Sequence, residues 1–136
     1  MLEKKHYNYA EWTKGRFSEA VTVTGPGKMI FLAGIGAEHE VHGEIQHPDD
    51  FDAQCRYAYA KLKKALERNG ASLADVVKQT TYVTDVRFQR QAGECRSQAY
   101  KGLALPAHTF LTVSQLAWPH MLVELDVIAV APLPQD

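Results

Sequence analysis

The segment Met121-Leu122-Val123-Glu124-Leu125-Asp126-Val127-Ile128-Ala129-Val130 constrains the fold more than any other part of the chain. It is rich in β-branched residues and holds neither Gly nor Pro, so it reads as a long strand. Strict alternation puts Met121, Val123, Leu125, Val127 and Ala129 on one face, and Leu122, Glu124, Asp126, Ile128 and Val130 on the other. The second face carries two carboxylates, which are costly to bury unless paired or hydrogen-bonded. Three readings stay open for them: facing solvent, forming ion pairs between subunits, or serving as a general acid/base or water anchor in an interfacial pocket.

The rest of the chain supplies what this strand packs against. Residues 1–16 are polar and aromatic and read as an N-terminal arm or edge segment. Ala20-Val21-Thr22-Val23-Thr24, the turn chemistry of Gly25-Pro26-Gly27-Lys28 and the apolar run Met29-Ile30-Phe31-Leu32-Ala33-Gly34 read together as a β-hairpin. Phe51, Cys55, Ala58, Leu62 and Leu66 recur at helical spacing on one face, after Pro48-Asp49-Asp50 and before Arg68-Asn69-Gly70. Residues 76–84 form a strand, and Asp85 caps a second helix over roughly 86–101 that contains Gly93. Residues 107–113 and 121–130 are strands, taken as an antiparallel hairpin. The order β-β-α-β-α-β-β predicts one α+β domain over 1–136, with both helices on one face of a mixed sheet. The other sheet face would expose more apolar surface than a monomer carries, so a homo-oligomer is expected.

Composition narrows the function. The 136 residues are 46% hydrophobic, and 15 Lys+Arg stand against 16 Asp+Glu, a net charge of −1. Such a balance lacks the basic footprint of a nucleic-acid binder, so that partner is disfavoured. Cys55 and Cys95 rule out a disulfide framework, and both fall on apolar helix faces as core thiols. No run approaches the roughly 18 apolar residues of a membrane span, and a cytoplasmic location is expected. Phosphate loops, dinucleotide fingerprints and nucleophile elbows are absent, so no cofactor is expected. His39, His42 and His47 with Glu38, Glu40 and Glu44 lack helical metal-ligand spacing and read as a solvated loop, so no metal is expected either.

Chemistry points to His108. In an antiparallel hairpin it falls at the same end of the ladder as Glu124 and Asp126. There a carboxylate would raise the imidazole pKa, and the pair could work as an acid/base dyad. The plainer alternative is a structural histidine bonded to backbone.

The pieces taken in order are similar to a known family. They are Phe17-Ser18-Glu19-Ala20-Val21, Met29 to Gly34, Asp52-Ala53-Gln54, Ser72-Leu73-Ala74-Asp75-Val76-Val77-Lys78, Tyr82-Val83-Thr84-Asp85, Pro106-Ala107-His108-Thr109, and Leu122-Val123-Glu124-Leu125-Asp126-Val127-Ile128-Ala129. Over residues 16–131 the chain resembles the RidA/YjgF (L-PSP, reactive-intermediate deaminase) family. The resemblance implies a chorismate-mutase-like fold, a homotrimeric barrel, and clefts between subunits that bind small carboxylates. Family members hydrolyse enamines or imines to ketoacids and ammonia. A family Arg holds the substrate carboxylate, and a Glu on the last strand positions water.

Carried over by position, the Glu is Glu124, while the Arg position holds His108. The substrate-binding positions hold Phe17, Gly34, Ile35 and Phe110. An imidazole cannot copy a bidentate guanidinium, so turnover of small 2-imino acids should be weak unless another cation, such as Arg16, Arg87 or Lys28, holds the carboxylate. The resemblance therefore implies an enamine or imine deaminase, or a related hydrolase, with an altered substrate. A non-catalytic metabolite-binding or regulatory trimer is the alternative. An endoribonuclease or translation inhibitor fits the near-neutral charge less well.

Overall fold

The computed structural model describes residues 1–134. β1 (Glu3–Tyr7) and β2 (Ala20–Thr24) form a two-stranded antiparallel ribbon, with Lys5 opposite Thr22. The main sheet has the order β3 (Lys28–Phe31), β6 (Val123–Ala131), β4 (Val76–Val83), β5 (Ala107–Thr112). β6 runs antiparallel to both β3 and β4, and β5 lies parallel to β4 at the edge. The fold is thus α+β with a mixed sheet, in the order β-β-β-α-β-α-β-β.

Three expectations are corrected. Residues 3–7, read as part of an arm or edge segment with no strand assigned, form a strand of their own. β2 and β3 are not partners: the Gly25-Pro26-Gly27 turn hands the chain from the ribbon to the main sheet. Residues 107–112 do not form a hairpin with β6 but pair with β4, His108 beside Gln79. The cause is the intervening helix, since a strand that returns after a helical crossover lies parallel to the strand it left.

Local chemistry sets the helices. The Asp50 side chain accepts from the Ala53 N–H at 3.1 Å and opens α1 (Phe51–Arg68). Gly70, at φ +74°, ends it, where a β-carbon would be strained. Asp85 accepts from the Arg87 N–H at 2.9 Å, but it caps a single 3₁₀ turn over Val86–Phe88, and α2 (Gln89–Ala99) starts only after that turn. Phe51, Cys55, Ala58, Leu62 and Leu66 of α1 are buried against Val123, Leu125, Val127 and Ala129 of β6. Cutting a fully buried leucine such as Leu62 to Ala would cost about 2–5 kcal/mol.

Both helices cover one sheet face. The other presents Met29, Phe31 and Leu111 to solvent, beside Glu124 and Asp126. Among the described residues, no helix is long and apolar enough to cross a membrane.

The segment between β1 and β2 is held by one carboxylate. Glu19 Oε2 accepts from Tyr9 N–H at 2.6 Å, Ala10 N–H at 2.7 Å and the Thr13 hydroxyl at 2.8 Å. These bonds keep its pKa below the ordinary carboxylate range. Asn8 Nδ2 donates to Phe17 O, and the Ser18 N–H donates to Pro106 O. Trp12 and Phe17 are thereby fixed beside the start of β5.

Candidate functional site

The residues singled out by sequence fall at two places, not one. His108 pairs with Gln79 and shares the helix-covered face with Val127. Glu124 pairs with Tyr82 on the opposite face, three positions further along β4. Within one chain the two therefore do not form the expected dyad. The register differs because β4 lies between their strands.

At the first place, a cleft of about 1020 Å3 opens between the β1–β2 connection, α2 and β5. Trp12, Arg16, Phe17, Arg96, His108 and Phe110 are on its wall. Trp12 and Phe17 meet edge to face with centroids 5.7 Å apart, and the His108 ring lies 6.3 Å beyond Phe17. Of the cations proposed from sequence, only Arg16 is here. Arg87 is paired with Asp85 at 2.7 Å, and Lys28 donates to Asn69 O at 2.7 Å.

The cation that sequence reasoning missed is Arg96. Its Nη1 lies 3.3 Å from His108 Nε2. The signal was helical spacing: Ala92, Arg96 and Tyr100 stand four apart, and the two flanking members are buried. A cation in such a stripe must reach past apolar neighbours to something polar.

A directional network lies behind His108. The Tyr100 hydroxyl donates to Gln79 Oε1 at 2.7 Å. Gln79 Nε2 donates to the Tyr59 hydroxyl and to Thr81 Oγ1, each at 2.9 Å. Thr81 Oγ1, which accepts from Gln79 and keeps its one proton free to donate, lies 2.8 Å from His108 Nε2. Since a guanidinium has no acceptor, Nε2 must be the accepting atom toward Arg96 as well. The ring is therefore neutral, with its proton on Nδ1. Burial, followed by the charges of Arg96 and Lys78, lowers the His108 pKa to about 3. This reverses the expected sign, because among the described residues the charges acting on the ring are those of cations.

At the second place, Gly34 lies against Glu124: a β-carbon on Gly34 would stand 2.5 Å from Glu124 Oε1. Ile35 bridges Leu125, donating at 2.8 Å and accepting at 2.7 Å. Burial raises the Glu124 pKa, helped by the charges of Glu38 and Asp126. Gly34, Ile35 and Glu124 thus cluster, as Phe17, His108 and Phe110 do elsewhere.

The remaining candidates are structural. His39 Nδ1 accepts from the N–H groups of Val41 and His42, each at 3.2 Å, and the His39 and His42 rings stack with centroids 5.1 Å apart. Cys55 is buried between α1 and the sheet, and Cys95 is half-buried; both are free thiols.

A family model described as endoribonuclease L-PSP matches residues 10–131. A RutC family protein of Pyrococcus abyssi is 36% identical over 115 residues, covering 85% of this chain and 86% of that one. Among solved structures, the conserved Rid family protein YyfB of Yersinia pestis superposes with a TM-score of 0.80 at 31% identity, over 93% of this chain and 97% of its own. TdcF of E. coli, solved with bound serine, gives a TM-score of 0.68 at 25% identity, over 86% and 94%.

Proposed function

The chain belongs to the Rid/YjgF family, the family of the L-PSP model, and on that premise we propose that it is a homotrimeric imine or enamine hydrolase with an altered carboxylate substrate. The observation that carries the reading is the cleft where Phe17, His108 and Phe110 converge, three positions at which the family resemblance expects substrate contacts. TdcF, a relative that binds serine, supports an amino-acid-like ligand.

In the proposed trimer, the exposed sheet faces of three chains meet, which covers Met29 and Phe31. Glu124 of a second copy then borders the His108 cleft, and the two places seen separately in one chain become one site. Burial and like charges make Glu124 a better proton acceptor than a free carboxylate. It takes a proton from water as the oxygen adds to the C=N carbon and delivers that proton to the nitrogen. The resulting carbinolamine expels ammonia as its hydroxyl becomes the ketone. Water is consumed, and no electron changes hands.

The test is a coupled assay in which an amino-acid oxidase generates the imino acid and ammonia release is followed. Acceleration over the spontaneous rate, lost in Glu124→Gln, supports hydrolysis. Tight keto-acid binding without acceleration would identify a metabolite-binding trimer instead.

A further inference from the structure

A desolvated guanidinium normally finds a carboxylate. Arg96 is half-buried and sits on the packed stripe of α2, yet among the described residues its one side-chain hydrogen bond is with the neutral ring of His108. The nearby Glu94 is engaged by Arg90 at 3.1 Å. Arg16, on the same wall, has no carboxylate partner among the described residues either. The only side-chain nitrogen or oxygen that is both sealed from solvent and unpartnered among them is His6 Nε2. The free N–H groups of Arg96 and the Nδ1–H of His108 therefore reach open space, and both residues line the cleft. Two donors are left without acceptors, next to three aromatic rings.

Resting on the reading of this cleft as the substrate site, we propose that Arg96, assisted by the Nδ1–H of His108, is its carboxylate anchor. The carboxylate it takes carries a flat aromatic group, received by Trp12, Phe17 and Phe110. The charge has moved from the strand position held by His108 to the facing helix. The histidine supplies a second donor because Thr81 and Arg96 hold its Nε2 as an acceptor. The wall of the cleft sets these aromatic rings beside the two cations Arg16 and Arg96. Trp12, 64% exposed and edge-on to Phe17, offers its indole to whatever enters.

The experiment is calorimetric titration of the full-length protein with phenylpyruvate, pyruvate and phenylacetone, alongside the imino-acid assay. Phenylpyruvate should bind at least about tenfold more tightly than pyruvate, and phenylacetone, which lacks the carboxylate, should not bind measurably. Arg96→Met should weaken phenylpyruvate by about 10- to 100-fold. It should melt no earlier than the native protein, since it removes an uncompensated charge and keeps the packing. Arg96→Lys, which keeps the charge, guards against a folding defect in the Met variant and should recover part of the affinity. Trp12→Ala should weaken phenylpyruvate by a larger factor than it weakens pyruvate, narrowing the difference between the two.

Unchanged phenylpyruvate binding in Arg96→Met overturns the anchor while leaving the cleft reading intact. Pyruvate binding as tightly as phenylpyruvate overturns the aromatic class. If the native protein neither binds a keto acid nor accelerates imine hydrolysis, the cleft reading fails and the anchor fails with it.

Discussion

Arg96 Nη1 stands 3.3 Å from Nε2 of His108, so a cation donates to the atom that a proton would occupy on acidification. Protonating the ring would set two positive charges against each other and break the 2.8 Å bond from Thr81. The unfolded chain takes this proton near pH 6.5, the folded chain only near 3. On acidification the unfolded state binds it first. The stability that depends on the neutral ring is whole above about 6.5 and drains as pH falls toward 3. Urea unfolding at pH 7 and near pH 4 should show this loss, and His108→Asn should flatten it. In NMR, the His108 ring should not titrate between pH 5 and 8.

The hydroxyl of Thr81 joins the buried network to the cleft. Thr81→Val removes the donor to His108 and an acceptor for the fully buried Gln79. Leaving part of a buried amide unsatisfied costs about 1–3 kcal/mol. Equilibrium unfolding should give a loss in that range, while Thr81→Ser, which keeps the hydroxyl, should lose less.

The elements were legible in sequence because their periods are strong. Phe51 to Leu66 keep helical spacing, and residues 123–130 alternate; such patterns gave both helices and the five strands after the N-terminal segment's own, near their observed limits. β1 was missed because Glu3-Lys4-Lys5-His6-Tyr7 lacks an apolar face: it lies on a small ribbon, not over the core. Pairing was misread because proximity in sequence favoured a hairpin between β5 and β6. The β4–α2–β5 order already implied a parallel neighbour. The site was legible only where one strand fixes it, as with Glu124. Arg96 escaped because α2 is polar overall, and one cation on its buried stripe stands out only once Ala92 and Tyr100 are known to be buried.

Gly34 leaves space that Glu124 uses. In Gly34→Ala the new β-carbon would stand 2.5 Å from Oε1 and 2.6 Å from Cδ of Glu124. The flexible carboxylate gives way rather than the backbone. The variant should fold, melt within a few degrees of the native protein, and lose about tenfold or more in imine hydrolysis through the displaced acid/base group. Circular dichroism melting and the ammonia-release assay, run on the same preparation, separate the two effects.

Phe31 is 67% exposed and Met29 60% exposed on the face left bare by the helices. Light scattering should find a trimer. Phe31→Asp, which puts a charge into the proposed interface, should shift the population toward smaller species at micromolar concentration and lower activity with it. A native protein that scatters as a monomer would remove both the barrel and the composite site.

Glu124 tests catalysis apart from structure. Burial and the charges of Glu38 and Asp126 raise its pKa, so ionised Glu124 is held at a cost in the folded state. On acidification the folded state takes up this proton ahead of the unfolded one, the reverse of His108. Glu124→Gln deletes the charge and keeps the shape. Near neutrality it should melt at the native temperature or slightly above. If the carboxylate moves the proton of the attacking water, kcat should fall by about 100-fold or more while phenylpyruvate binding stays. The acidic limb of the activity profile, displaced upward by the raised pKa, should vanish from whatever activity remains. A variant that keeps full kcat, or whose trimer falls apart, would make Glu124 an interface residue and leave the water without its base.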